Sequence, residues 1–152
     1  MPKLTLRTPP GFRFKHRGIG FLEGEVWLDA GTEFENLPRK EQDDVRSRIN
    51  YWLDGGVHDK YFHGFPNDRA HHECYVFKYQ ALRLYGYLCK PKPNTDPGFQ
   101  LCVLTEYASK NEWNTELTIL DRAMKMLTNL EAIEAIAVTY PECSKGKRSW
   151  TN

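Results

Sequence analysis

No apolar run in this 152-residue chain reaches the length that a bilayer-crossing helix needs, which excludes a helical membrane span. The opening MPKLTLRTPPGFRF has no apolar signal-peptide core, so the expected compartment is cytoplasmic. Cysteine occurs four times but never as CxxC. Cys74, Cys89 and Cys102 fall inside strand-like segments, and with Cys143 they are expected as reduced, packed thiols. HExxH is absent too, and the spacing of His58, His63, His71 and His72 fits no standard ligand pattern, so neither a metal nor a cofactor is expected. The GIGFLEG stretch lacks both the GxGxxG spacing and a following GK[ST], which argues against a phosphate loop.

Acid is missing altogether from residues 1–22, which carry Lys3, Arg7, Arg13, Lys15 and Arg17. Residues 23–44 then hold eight acids against Arg39 and Lys40, although the net charge is only +1. This asymmetry reads either as a polyanion contact near the N-terminus or as a solvated arm. The Gly- and Pro-rich residues 8–24 read as an arm with one edge strand around Phe12–Lys15, and GEVWLDA as a strand. The expected division is an N-terminal arm over 1–24, one domain over 25–143 and a mobile basic tail over 144–152.

A helix is predicted from Pro38, a good first-turn residue, with acids in its opening turns. Val45, Ile49, Trp52 and Leu53 form its apolar stripe, and Gly55-Gly56 stops it. Residues 57–72 read as a loop. ECYVFKY and LRLYGYL then read as a hairpin turning at Gln80-Ala81. In that register Tyr79 faces Leu82, Phe77 faces Leu84 and Tyr75 faces Gly86 on one side. Cys74, Val76, Lys78, Arg83, Tyr85 and Tyr87 share the other side, with Lys78 directly opposite Arg83. Like charges so placed repel, and the arrangement makes sense if an anion sits between them. FQLCVLTEY, apolar at both parities from Phe99 to Leu104, reads as a central strand covered on both faces. A last amphipathic helix is expected from Thr115, with Leu117, Leu120, Met124 and Leu127 on one face. Asn129 interrupts it before a further helix over 130–140.

The order of strand, helix, three antiparallel strands and helix resembles the RelE/ParE/HigB toxin superfamily of type II toxin–antitoxin modules. Tyr75-Val76-Phe77-Lys78 is similar to that family's strand ending in ELR, and Leu82-Arg83-Leu84-Tyr85 to its arginine–aromatic strand. The passage from Leu101 to Lys110, followed by Glu116 and Ala123, resembles its apolar strand, lysine pair and acidic helix, with a single lysine here. The resemblance covers about residues 25–127. It implies an α+β fold: an antiparallel twisted sheet of three to four strands packed against two or three helices.

It also implies a ribosome-dependent mRNA endoribonuclease that inhibits translation, held by a cognate antitoxin, with no membrane partner. On that reading Lys78, Arg83, Lys110 and His72 are catalytic candidates, while Tyr85, Tyr87 and His71 bind the substrate. The alternatives are a non-catalytic phage or mobile-element protein that binds RNA or protein, and a ParE-like gyrase poison. The near-neutral charge favours the binding protein, because ribosome contact rewards a strongly basic surface.

Overall fold

The computed structural model describes residues 4–109 and 116–144. Lys110, the expected N-cap Thr115 and the tail over 145–152 lie outside the described residues. In chain order the elements are β1 (Thr5–Arg7), β2 (Arg17–Glu23), α1 (Ala30–Glu35), α2 (Arg39–Leu53), β3 (Phe62–Gly64), β4 (Cys74–Tyr79), β5 (Leu82–Cys89), β6 (Gln100–Ser109), α3 (Glu116–Leu127) and α4 (Leu130–Thr139). Among the described residues no helix is long and apolar enough to cross a membrane.

The chain is α+β, but its sheet differs from the expected three to four antiparallel strands. Six strands pair in the order β1-β2-β6-β5-β4-β3, and β2 runs parallel to β6, so the sheet is mixed. Of three extra pairings, one joins β4 to β3, inside the stretch 57–72 that reads as a loop, and two come from a segment that reads locally as an arm. Residues 17–23 form an interior strand between β1 and β6, whereas neither Phe12–Lys15 nor GEVWLDA is a strand. Glycine conceals β2 in the sequence by its weak strand propensity. Here it permits a close approach, since a Cβ on Gly20 would come within 2.7 Å of the Leu6 side chain.

The arm ahead of β2 is packed down as well. Asn50 of α2 donates to the Gly11 carbonyl at 3.0 Å and accepts from the Arg13 amide at 2.8 Å. Phe12 meets Phe34 at 5.7 Å.

Two hydrophobic cores, one on each face of the sheet, make a three-layer sandwich. Ile19, Phe21, Phe77, Leu84 and Leu104 pack against α1 and α2. Leu22, Val76, Tyr85, Tyr87, Leu101 and Val103 pack against α3 and α4. The two predicted amphipathic helices therefore cover opposite faces and do not share one. Leu101, Cys102, Val103 and Leu104 are fully buried, as the double-parity pattern of β6 requires. In α3 the buried side is Ile119, Leu120, Ala123 and Leu127, while Leu117 faces solvent. Asn129 caps α4, its side chain accepting from the Ala132 amide at 3.0 Å.

The hairpin register is the one the alternation predicts, from Cys74 opposite Tyr87 to Tyr79 opposite Leu82, with Lys78 opposite Arg83. Gln80 takes a left-handed φ of 51° to close the tight turn. One irregularity adjoins it. The pairing of β5 with β6 shifts between Tyr85 and Gly86, leaving Thr105 as the extra residue of a bulge. A Cβ on Gly86 would lie 1.9 Å from the Val103 carbonyl oxygen, so this position accepts only glycine. Gly86→Ala is expected to destabilise the fold by about 3 kcal/mol in urea denaturation. Gly98→Ala, whose Cβ would meet nothing closer than 4.0 Å, should melt as wild type does. Equal stability of the two variants would show that the bulge relaxes at no cost.

Candidate anion-binding site

Strand pairing alone sets Lys78 and Arg83 side by side, with Ala108 of β6 next in the row. Both side chains lie on the α3 face, at the end where β4 and β6 finish and α3 begins. Lys78 is half-buried, and its pKa is lowered first by burial and then by the Arg83 charge, while Asp59 and Glu116 act in the opposite sense. Arg83 is braced against the turn, its Nη1 donating to the carbonyls of Gln80 at 2.7 Å and Leu82 at 2.9 Å. Among the described residues neither cation has a carboxylate within ion-pairing distance. A pair of adjacent cations with no ion-paired carboxylate among the described residues is equipped to hold a phosphate: Arg83 offers a fork and Lys78 a point charge.

The other described candidate residues are not gathered around this pair. Tyr85 and Tyr87 share its side of the hairpin, but α3 and α4 cover that face and both rings are buried. The Tyr85 hydroxyl donates to Glu116 Oε2 at 2.7 Å, and the Tyr87 hydroxyl is buried without a partner among the described residues. Neither ring is placed to stack a base. His71 is buried, its Nδ1 2.7 Å from Asp68 and its Nε2 2.6 Å from Asp121 of α3, so it serves as a clamp between a 3-10 turn and the helix. His72 is more exposed and pairs with Glu73 at 2.7 Å. Both histidines precede β4. The strand from Cys74 to Lys78 puts about 13 Å between its ends, so neither histidine adjoins the cation pair.

All four cysteines are free and buried, which bears out the expectation of packed thiols. Burial pushes the Cys74 and Cys143 thiols up to about 12, which removes them as nucleophiles at neutral pH. Among the described residues no three His, Cys, Asp or Glu side chains converge as metal ligands.

Sequence reading did not find two surface pockets that lie on the α2 side. One, of about 430 Å³, includes Arg17, Trp52, His58, Asp59, His63 and Tyr75. The other, of about 320 Å³, is lined by Asp44, Ser47, Arg48, Tyr51, Tyr61 and Tyr79. The Arg48 guanidinium lies 3.8 Å from the Tyr61 ring centre, and the His58 ring lies parallel to Tyr61 at 3.8 Å. The basic arm was the one sequence signal for Arg17, and the parallel pairing of β2 that brings it here leaves no local mark.

Two tests follow from this geometry. Lys78→Gln removes a charge that burial and Arg83 both disfavour, so its melting temperature should equal or slightly exceed that of wild type while RNA affinity falls. A lower melting temperature with unchanged affinity would make Lys78 a structural residue. His71 is raised above 6.5 by Asp121 and then Asp68, so its contribution is complete below pH 6.5 and is lost as the pH climbs through the raised value. The stability advantage of wild type over His71→Gln should therefore be full below pH 6.5 and shrink as the pH rises above it in urea denaturation. A pH-independent difference would show that His71 acts by packing alone. Comparison with protein-family models, with curated proteins and with solved structures finds no match to this chain.

Proposed function

We propose that the protein is a RelE/HigB-like toxin, a ribosome-dependent mRNA endoribonuclease held in check by a cognate antitoxin. The observation that carries the reading is the cross-strand pair Lys78 and Arg83, adjacent cations with no carboxylate within ion-pairing distance among the described residues. The succession of α2, the antiparallel run β4-β5-β6 and α3 supports it, being part of the order that the resemblance implies, whereas its expected first strand GEVWLDA is absent and β3 intervenes.

Cleavage on this reading needs no metal and no covalent enzyme intermediate. Lys78, its pKa lowered by burial and by Arg83, takes the proton of the 2′-hydroxyl. The 2′-oxygen bonds to phosphorus as the bond to the 5′-oxygen breaks. A proton from solvent completes the 5′-hydroxyl, and the other product is a 2′,3′-cyclic phosphate. Arg83 forks onto the non-bridging oxygens, where charge builds up. Lys110 follows β6 directly in the sequence and is the candidate for a further cation here.

A second reading has its own support. With Tyr85 and Tyr87 buried and His71 clamped, the described residues place no aromatic platform and no histidine beside the pair. That favours a protein that holds RNA without cutting it.

Induced expression in bacteria without the antitoxin should arrest growth and fragment translated mRNA. Lys78→Gln should slow cleavage by roughly 10²-fold or more and restore growth, and Arg83→Gln should restore growth as well. Intact mRNA and unimpaired growth at levels where folded wild-type protein is detected would exclude cleavage and leave the binding reading.

A further inference from the structure

The pocket of about 430 Å³ beside the C-terminal end of α2 contains a guanidinium that the fold positions without neutralising. Other arginines near the N-terminus are paired. Arg7 donates to Glu23 and to Glu35, and Arg13 pairs with Asp54. Arg17 has no carboxylate partner among the described residues. Its Nη1 donates to the Trp52 carbonyl at 2.7 Å, and its guanidinium lies 4.8 Å from the centre of the Trp52 ring. One nitrogen is thus spent on fixing the group in place, and its other donors are free for a ligand. A held, half-buried guanidinium without an anion is costly to keep, and it is pre-organised to bind one.

The rest of the lining limits what the anion is attached to. His58 and His63 are half-buried and add imidazole donors. Tyr75 gives a partly exposed aromatic wall, with the buried Trp52 and Phe62 rings packed against it, and Asp59 supplies an acceptor. Burial holds the Tyr75 phenol above its ordinary value, and the Arg17 and Asp59 charges act on it in opposite senses, so both charges bear on one ring. The space exceeds what a bare phosphate fills, and it combines cation, aromatic surface and carboxylate.

We infer that this pocket binds a nucleotide through its phosphate monoester, with Arg17 as the phosphate anchor and the aromatic wall against the base. It lies on the α2 face of the sheet, whereas Lys78 and Arg83 lie on the α3 face, so this site does not depend on the proposed cleavage. The carbonyls of Trp52 and Gly56 at the C-terminal end of α2 present negative charge here, which makes Arg17 indispensable to an anion. Two sources offer the same chemistry, a free nucleoside monophosphate and the 5′-phosphate end of an RNA.

Calorimetric titration of the full chain with 5′-AMP should saturate in the millimolar range or below, with adenosine at least tenfold weaker. Arg17→Gln should weaken AMP by at least tenfold while Lys78→Gln leaves it unchanged. Arg17 also caps α2, so circular dichroism must show that variant folded. If it is not, His63→Ala is the deciding variant and should weaken AMP severalfold at an unchanged melting temperature. A 5′-phosphorylated oligoribonucleotide that displaces AMP, where its 5′-hydroxyl counterpart does not, would identify the RNA end as the source. Displacement by neither would identify the free nucleotide. The inference is overturned by failure of AMP to saturate at millimolar concentration or by adenosine binding as tightly as AMP. Equal displacement by both oligonucleotides, or a folded Arg17→Gln (or, in its place, His63→Ala) with wild-type affinity, would overturn it equally.

Discussion

Burial of β6 on both faces is the constraint around which the rest of the molecule is arranged. Leu101, Cys102, Val103 and Leu104 are consecutive and all inaccessible to water, so their side chains point alternately into two separate cores. A strand of that composition requires a helical layer above and another below. It also requires partners along both edges, because a buried backbone must pair its amides and carbonyls. β5 meets one edge by a hairpin-like return. Only a strand from elsewhere in the chain can meet the other, and the N-terminal segment supplies it as the parallel β2.

The same constraint explains which parts of the fold were legible in the sequence. The β4–β5 register could be worked out from alternation and a two-residue turn, because both signals are local. α2 was legible from its apolar stripe and glycine stop, and α4 from Asn129. β2 was not, because its glycines lower strand propensity and its pairing with β6 spans about eighty residues of chain. Parity showed that Tyr85 and Tyr87 share a face with Lys78 and Arg83. It does not show how far along that face a helix reaches. α3 covers the rows of Tyr85 and Tyr87, and Lys78 and Arg83 lie at the end where that helix begins.

The charge asymmetry of the first third of the chain has a largely internal explanation. Arg7 reaches both Glu23 and Glu35, Arg46 meets Asp43, and Arg13 meets Asp54. Arg7 thus folds back onto the acidic stretch that follows it and Arg13 onto the C-terminal end of α2, while Lys15 stays exposed. What looked in the sequence like a surface for a polyanion is in good part a set of ion pairs holding the arm to α1 and α2. Partly exposed pairs of this kind contribute little each, about 1 kcal/mol or less, so they direct the arm more than they stabilise it.

The cations that the fold leaves unneutralised are therefore the informative ones. Lys78 and Arg83 are set side by side by strand pairing, although their mutual repulsion works against that placement. Arg17 is held by a carbonyl and an indole, with no carboxylate paired to it among the described residues. A chain that pairs Arg7, Arg13, Arg46 and Arg122 with acids has the means to neutralise these three as well. Among the described residues no carboxylate forms an ion pair with any of the three, so cations stand unpaired on opposite faces of one sheet. Arg17 and Arg83 offset part of the cost of standing unpaired through the backbone carbonyls they hold, and an anion bound at each place would offset the rest.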